Sequence, residues 1–212
     1  MMLDILIADD HTVVRKGIQQ ILQEGFPNCN ISEAKDAESM IEQIIQKNWD
    51  LVISDLSMPG RSGLDALPQI KLLRPKLPVL ILSIHSEDHY AIRVLKAGAS
   101  GYLSKDLAPE ELVDAVKRVL NGKKYITPNV AEKLASQIDK NDSKPLHHIL
   151  SDREFTVLQL LASGKTISEI ADSMLLSLTT VSTYRSRILT KMNMKTNTAL
   201  TLYALEHNLM QS

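Results

Sequence analysis

Short apolar runs alternate with amphipathic stretches over roughly the first 125 residues of this 212-residue chain. Each run has the length of a buried strand, and the stretches between runs place apolar residues three and four positions apart, as a helix does when one face covers a sheet. This alternation predicts a parallel sheet wrapped by helices. The predicted strands are 3–8, 29–33, 51–54, 79–82 and 101–103. The predicted helices are 12–22, 37–45, 64–73, 88–96 and 110–120.

The pattern changes after Tyr125. A helix is predicted over 129–138, and residues 139–145 contain no apolar side chain, which is typical of a linker. Four short helices without a strand candidate follow, at 151–163, 167–174, 179–192 and 198–206. We therefore predict an α/β domain over 1–124, a linker over 125–146 and a small all-α domain over 147–212.

Composition excludes several classes of protein. The 24 Lys and Arg residues nearly balance the 25 Asp and Glu residues, which argues against a uniformly basic nucleic-acid binder. A single cysteine excludes a disulfide framework and a multi-cysteine zinc site. The chain begins Met1-Met2-Leu3-Asp4, without a basic signal-peptide region, and has no apolar run long enough to span a membrane. These features predict a cytoplasmic protein with no membrane association.

Polar side chains follow four of the five predicted strands. Asp9 and Asp10 follow the first strand, Asp55 the third, Ser83 the fourth, and Lys105 lies just beyond the fifth. Ligands of open parallel sheets bind at the carboxyl ends of the strands, so these groups converge if the first strand lies between its partners. Three close carboxylates repel one another unless a cation neutralises them, which predicts a Mg2+ site.

Asp55 is the best candidate nucleophile, because it stands alone after its strand while Asp9 and Asp10 are paired as metal holders. A carboxylate beside Mg2+ can attack phosphorus and form an acyl phosphate. Lys105 lies at the same edge of the predicted sheet as the carboxylates, and this position predicts that its ammonium pairs with the phosphate.

These motifs resemble the receiver domain of two-component response regulators, which has a flavodoxin-like (βα)5 fold with a five-stranded parallel sheet. The resemblance covers residues 3 to about 121. It is carried by Asp9-Asp10, Asp55 followed by Met58-Pro59-Gly60, Ser83, and the segment from Ala97-Gly98-Ala99 to Lys105.

The resemblance implies that Asp55 receives a phosphoryl group from a sensor histidine kinase. It also implies that Asp10, Asp55 and the backbone carbonyl of Ser57 hold Mg2+, with Asp9 acting through water. On phosphorylation Ser83 turns toward the phosphoryl oxygens and Tyr102 follows inward. Ser57 and His85 resemble positions that tune the lifetime of the phosphoryl group.

The C-terminal segment has helix-turn-helix spacing. The short amphipathic helix 167–174 is followed by the turn Leu175-Leu176-Ser177, and Ser177 is well placed to cap the next helix. Residues 178–195 carry four basic residues and no acidic one. Val181, Ile188 and Met192 should face the core, which leaves a polar and basic face for the DNA major groove. The predicted DNA contacts are Thr179, Thr180, Ser182, Thr183, Arg185, Ser186, Arg187 and Lys191.

This segment resembles the LuxR-type DNA-binding domain of NarL/FixJ response regulators. The matching motifs are residues 150–154, 157–164, 169–171, 176–177, 180–181 and 191–192. Many members carry Lys and His where this chain has Ser182 and Tyr184, so base preference does not carry over. The loss of lysine predicts weaker non-specific affinity and a need for dimerisation or phosphorylation. The resemblance implies pairing through helix 198–206, although its Leu200, Tyr203 and Ala204 are alternatively core residues.

We predict a DNA-binding response regulator that is not an enzyme. Phosphorylation of Asp55 by a sensor histidine kinase would control homodimerisation and binding to promoter DNA, with RNA polymerase a further partner. One alternative is an aspartyl-phosphate phosphohydrolase, but such enzymes are expected to carry a second Asp where this chain has Ser57. Another is a regulator independent of phosphorylation, against which the intact set of Asp10, Asp55, Ser83 and Lys105 argues.

Overall fold

A computed structural model describes residues 2–85, 87–139 and 145–210, apart from the side chains of residues 88, 89 and 136–139. The chain divides into two compact units, Met1–Lys140 and Asn141–Ser212. Most of the predicted polar linker, residues 140–144, lies outside the described residues. No helix in the described ranges is long and apolar enough to cross a membrane.

The first unit contains a five-stranded parallel sheet with flanking helices, which confirms the predicted receiver fold. Its strand order is β2-β1-β3-β4-β5. The strands are β1 (Leu3–Ala8), β2 (Cys29–Ala34), β3 (Leu51–Asp55), β4 (Val79–Ser83) and β5 (Gly101–Ser104). The helices are α1 (Thr12–Gly25), α2 (Ala37–Gln46), α3 (Gly63–Leu73), α4 (Glu87–Lys96), α5 (Ala108–Leu120) and α6 (Pro128–Asp139).

The register of the strands brings their carboxyl ends to one edge of the sheet. β1 lies between β2 and β3, and Ala8 pairs with Ser54, so Asp9 and Asp55 follow neighbouring positions. Ser83 at the end of β4 pairs with Ser104 at the end of β5. Strands β3 and β4 are buried along their whole length, as expected for a sheet covered on both faces.

Gly63 at the start of α3 allows that helix to approach the end of β3. Its N–H donates to the Leu56 carbonyl at 2.9 Å. A Cβ atom at this position would lie 2.1 Å from the backbone oxygen of Asp55, so only glycine fits without displacing the loop. The loop that follows Asp55 is thereby anchored to the first turn of α3.

Helix α6 packs against α4 in the first unit. Its described residues include Val130, which is buried. Thr127 Oγ1 and Asn129 Nδ2 donate to the two carboxylate oxygens of Glu87, at 2.8 and 3.0 Å. The predicted helix at 129–138 is confirmed, and it lies on the α/β unit although it falls within the predicted linker 125–146. The boundary at residue 124 stays a prediction.

The second unit is entirely helical in its described part and confirms the predicted helix-turn-helix class. Its helices are α7 (Asp152–Ala162), α8 (Ile167–Met174), α9 (Leu178–Lys191) and α10 (Asn197–Glu206). Capping boxes begin α7, through Ser151 and Glu154, and α8, through Thr166 and Glu169. Leu175 adopts a left-handed conformation, and Ser177 caps α9 by accepting from the Thr180 N–H.

Candidate functional site

Four side chains with possible metal-ligand atoms meet at the carboxyl ends of β1 and β3. Asp9, Asp10, His11 and Asp55 place these atoms within 4.8 Å of one another. The structure thus brings together the three aspartates that the strand pattern singled out. His11 joins them although sequence reasoning missed it. Its position directly after Asp9-Asp10, at the N-cap of α1, was the available signal.

Lys105 reaches this cluster from the end of β5. Its Nζ lies 2.6 Å from Asp9 Oδ2 and 3.1 Å from Asp55 Oδ2. Burial by itself lowers the pKa of Lys105, but Asp55 and Asp9 more than offset this effect and raise the pKa above its ordinary value. The ammonium group is therefore a fixed positive charge beside the oxygens of Asp55.

Asp55 is 5% exposed. Burial raises its pKa to about 6, the negative charge of Asp9 adds to the rise, and Lys105 opposes it. The backbone N–H of Ser57 donates a hydrogen bond to the Asp55 carboxylate. The Asp55 carboxylate thus has a defined orientation in a poorly solvated environment. Its electrostatic attraction to a positively charged group is stronger there than in water.

The arrangement fits a divalent cation. Asp10 Oδ1 is buried, and no donor among the described residues makes a hydrogen bond with it. His11 Nδ1 approaches it at 2.9 Å without hydrogen-bond geometry. A buried carboxylate oxygen without a donor costs free energy, which a cation held by clustered carboxylates would remove.

Ser83 and Tyr102 lie on the neighbouring strands and are both buried. Ser83 Oγ accepts from the His85 N–H at 3.0 Å, and the Tyr102 hydroxyl donates to the His85 carbonyl at 2.6 Å. Both predicted switch residues therefore hold the loop between β4 and α4. In this structure the Tyr102 ring already lies inward.

Ser57 and His85 form a direct contact across the mouth of the site. Ser57 Oγ lies 2.9 Å from His85 Nε2. Burial lowers the pKa of His85, and the charge of Lys105 lowers it further. The two positions that resemble tuners of phosphoryl lifetime thus lie together, which the sequence alone did not reveal.

Helix α9 of the second unit presents the predicted polar face. Val181, Ile188 and Met192 are fully buried, as expected for the core-facing stripe. Six predicted contact residues are exposed, namely Thr179, Ser182, Thr183, Ser186, Arg187 and Lys191, whereas Thr180 and Arg185 are half-buried. Arg185 Nε donates to Asn197 Oδ1 at 2.7 Å. The exposed face can reach a nucleic-acid groove without disturbing the core.

Lys191 is exposed but also has a partner within the fold, so its role as a DNA contact stays a prediction. Its Nζ lies 2.7 Å from Oε2 of Glu154, a carboxylate that is almost completely buried. Burial pushes the pKa of Glu154 upward, but hydrogen bonds from Lys191 and Ser151 outweigh this effect and hold the pKa below its ordinary value. If Lys191 turned to a phosphate, Glu154 would lose its ion-pair partner and keep the hydrogen bond that it accepts from the Ser151 N–H.

The last helix, α10, separates its apolar residues into two faces. Leu200, Tyr203 and Ala204 are buried in the second unit, so they are core residues. Leu202 and Leu205 are 58% and 54% exposed. These two leucines, rather than the three residues that the sequence pattern named, are the apolar surface that α10 offers to another molecule.

The fold and the sites define a class of protein: a receiver unit followed by a helix-turn-helix unit. Residues 5–117 match the response regulator receiver domain, and residues 148–204 match the bacterial regulatory proteins of the luxR family. The chain belongs to the NarL/FixJ family of response regulators. It is accordingly a DNA-binding transcriptional regulator and not an enzyme.

Relatives match almost the whole chain. The response regulator UvrY of Escherichia coli K12 is 34% identical over 209 residues, covering 98% of this chain and 96% of UvrY. The oxygen regulatory protein NreC of Staphylococcus carnosus is 36% identical and covers 97% of this chain and 98% of NreC. The solved complex of the response regulator RcsB with DNA has a TM-score of 0.59 and 29% identity, covering 97% of this chain and 98% of RcsB.

Proposed function

We propose that a sensor histidine kinase transfers a phosphoryl group to Asp55 and that this modification controls homodimerisation and promoter binding. The observation that carries the proposal is the pairing of Asp55 with Lys105 inside the carboxylate cluster. A cytoplasmic location follows from these two partners, since the chain must meet both the kinase and promoter DNA. Contact with RNA polymerase stays a prediction.

Asp55 supplies the nucleophile. A carboxylate oxygen of Asp55 bonds to phosphorus while the bond from phosphorus to its donor breaks, which leaves an acyl phosphate on Asp55. The Ser57 N–H orients the carboxylate. Lys105 Nζ lies close enough to Asp55 to pair with an oxygen of the incoming phosphoryl group. Phosphoryl transfer depends mainly on such positioning and charge stabilisation.

Asp10 and Asp55, together with the backbone carbonyl of Ser57, would hold Mg2+, and Asp9 would act through water. The donor set suits this ion, because Mg2+ prefers oxygen ligands and retains several waters. When bound, the ion neutralises charge that develops on the phosphoryl oxygens. The buried Asp10 Oδ1 without a donor supports this assignment.

The switch would begin at Ser83. A phosphoryl group on Asp55 brings acceptor oxygens to which the Ser83 hydroxyl can donate. If Ser83 turns toward them, the hydrogen bond that its Oγ accepts from the His85 N–H is broken. Any shift of the loop that contains His85 also affects Tyr102, which donates to the same residue. The loop leads directly into α4, on which α6 packs. The charge change at Asp55 can thereby reach the segment between the two units.

DNA binding would use the exposed face of α9. Arg187 suits a phosphate or guanine, and the hydroxyl side chains can contact several bases. A domain with so few lysines on this face needs two copies on DNA for useful affinity. The solved RcsB–DNA complex supports this placement by analogy.

Mass spectrometry after treatment with acetyl phosphate and Mg2+ tests the phosphorylation step. The intact chain should gain one phosphoryl group, and Asp55→Ala should gain none. Gel-shift titration of the same samples on a selected DNA site should then show tighter binding only for the phosphorylated chain. Equal DNA affinity in the two states would refute phosphorylation control in favour of a regulator that works without it.

A further inference from the structure

A cavity of about 630 Å3 lies at the amino ends of the strands, opposite the Asp55 cluster. Leu3, Pro78 and Ser100 line it from the starts of three strands. Its volume falls in the range of small-molecule sites. Four lysines also line the cavity, namely Lys71, Lys76, Lys123 and Lys124, against one carboxylate, Asp50.

Two of these lysines are held in fixed positions. Lys71 Nζ donates to the Leu77 carbonyl at 2.6 Å, and Lys124 Nζ donates to the Ala99 carbonyl. Burial lowers the pKa of both lysines, and the charge of Lys124 lowers that of Lys71 further. The single lining carboxylate, Asp50, already accepts from the Asp4 N–H at 2.9 Å. Preorganised like charges of this kind are stabilised by an anionic ligand.

Gly98 leaves room for the Lys71 side chain in the cavity wall. Gly98 has φ of +106°, a left-handed conformation, and a Cβ atom there would lie 3.0 Å from Lys71 Cγ. The Lys71 stem therefore packs directly over the backbone of Gly98. A side chain at this position would push Lys71 out of its place in the cavity wall.

A second cavity of about 610 Å3 adjoins the first and has a different character. The two share Asp50, Pro75, Lys76 and Pro78 as lining residues. The second cavity is also lined by Trp49, whose indole N–H donates to the Gln43 carbonyl at 3.0 Å. Lys47 Nζ lies over this ring, 4.5 Å from its centroid. A nucleobase would stack on the part of the indole that Lys47 leaves uncovered.

We propose that these adjoining cavities bind a nucleoside di- or triphosphate, with the phosphates on the lysines and the base at Trp49. The two cavities are neighbours with four lining residues in common, and the proposed ligand would span both. The ligand class follows from the combination, since the lysines select phosphates and the aromatic, proline-rich wall selects a flat apolar group. This site is distinct from the phosphorylation site and does not depend on it.

A purely structural role is the competing explanation for the lysines. Lys71 lies in the last turn of α3, and Lys123 and Lys124 follow the end of α5, where basic residues favourably oppose the helix dipole. That role requires no bound anion. Direct binding measurements separate the two explanations.

The test titrates the full chain with ADP, inorganic pyrophosphate and adenosine in the presence of EDTA, which removes metal from the aspartate cluster. Trp49 is the chain's only tryptophan, so its fluorescence reports on the proposed base position, and calorimetry gives the affinity independently. The test variants are Lys71→Gln, Lys124→Gln and Trp49→Phe. The matched control is Lys35→Gln. Lys35 is exposed and follows the carboxyl end of β2, whereas the cavity lies at the amino ends of the strands.

We expect saturable quenching by ADP and weaker binding of pyrophosphate and of adenosine. Each lysine change should weaken ADP binding about tenfold, the Trp49 change should weaken ADP but not pyrophosphate, and Lys35→Gln should change neither. Higher salt should weaken binding of both anions. The absence of saturable binding at millimolar ADP, or equal affinities of the lysine variants and the control, would overturn the proposal. Pyrophosphate binding as tight as that of ADP would overturn the nucleotide assignment.

Discussion

At the scale of single residues, Asp55 shows the conflict between function and stability most clearly. A nucleophilic carboxylate must be ionised, yet burial raises the pKa of Asp55 to about 6. The folded state therefore binds the Asp55 proton more tightly than the unfolded state, whose reference pKa is 3.8. Stability linked to this group is present at low pH and is lost as the pH rises from about 4 to about 6.

Asp55→Asn should therefore stabilise the metal-free protein at pH 7.5. We expect a gain of about 2 kcal/mol in the free energy of unfolding, because the amide needs no charge to be buried. The gain should shrink toward zero near pH 4, where Asp55 of the parent protein is protonated. Urea unfolding in the presence of EDTA measures it, with exposed Asp114→Asn as the control. A loss of stability at pH 7.5 would contradict the argument.

At the scale of elements, α9 combines a fold-stabilising face with the face that is proposed to bind DNA. Lys191 and Arg187 lie on this helix one turn apart, yet only Lys191 pairs with a buried carboxylate. Since the pKa of Glu154 is lowered, the pair stabilises the fold above pH 4.5 and ceases to do so as falling pH protonates Glu154.

Lys191→Gln should lower the free energy of unfolding of the C-terminal unit by about 1–3 kcal/mol at neutral pH. The loss should diminish in acid, because protonated Glu154 no longer needs a cation. Arg187→Gln, the matched change at an exposed position, should leave stability unchanged and weaken DNA binding about tenfold. Circular dichroism melting and gel-shift titration measure the two effects. The reverse pattern would show that Lys191 contributes to DNA binding rather than to stability.

Helix α10 supports a separate prediction about assembly. Leu202→Glu together with Leu205→Glu should abolish dimerisation while changing the melting temperature little, because both side chains are exposed. DNA affinity should fall at least tenfold, since a dimer holds DNA by two contacts. Sedimentation of phosphorylated protein measures assembly, and exposed Leu72→Glu is the control. An unchanged dimer would place the interface elsewhere.

At the scale of the whole molecule, residues after the predicted boundary at residue 124 also make contacts within the first unit, and the boundary itself stays a prediction. Tyr125 is buried and pairs with Gly101. Thr127, just before α6, and Asn129, within it, donate hydrogen bonds to Glu87. The segment after residue 124 thus contributes core contacts to the receiver unit.

A fragment of residues 1–140 should consequently be more stable than a fragment of residues 1–124. We expect a difference of about 2–4 kcal/mol, chiefly from the lost burial of Tyr125 and Val130. Thermal melting of both fragments measures it, and Glu87→Gln in the longer fragment should remove a smaller part of the difference. Fragments of equal stability would support the predicted boundary at residue 124.

The amino-acid sequence by itself determined the order and type of the elements and the motifs that mark the family. The alternation of apolar runs and amphipathic stretches is a local property, so the five strands, the receiver helices and the helix-turn-helix could be predicted within a few residues. The capping residue Ser177 and the aspartates at strand ends are local signals in the same sense.

Only the tertiary structure decided which groups meet. The contact of Ser57 with His85, the pair of Lys191 with Glu154 and the packing of α6 on α4 each join residues far apart in the chain. The lysine-lined cavity likewise gathers residues from the starts of several strands and the ends of helices. Periodicity carries no information on such pairings, because they depend on strand order, register and the packing of whole elements.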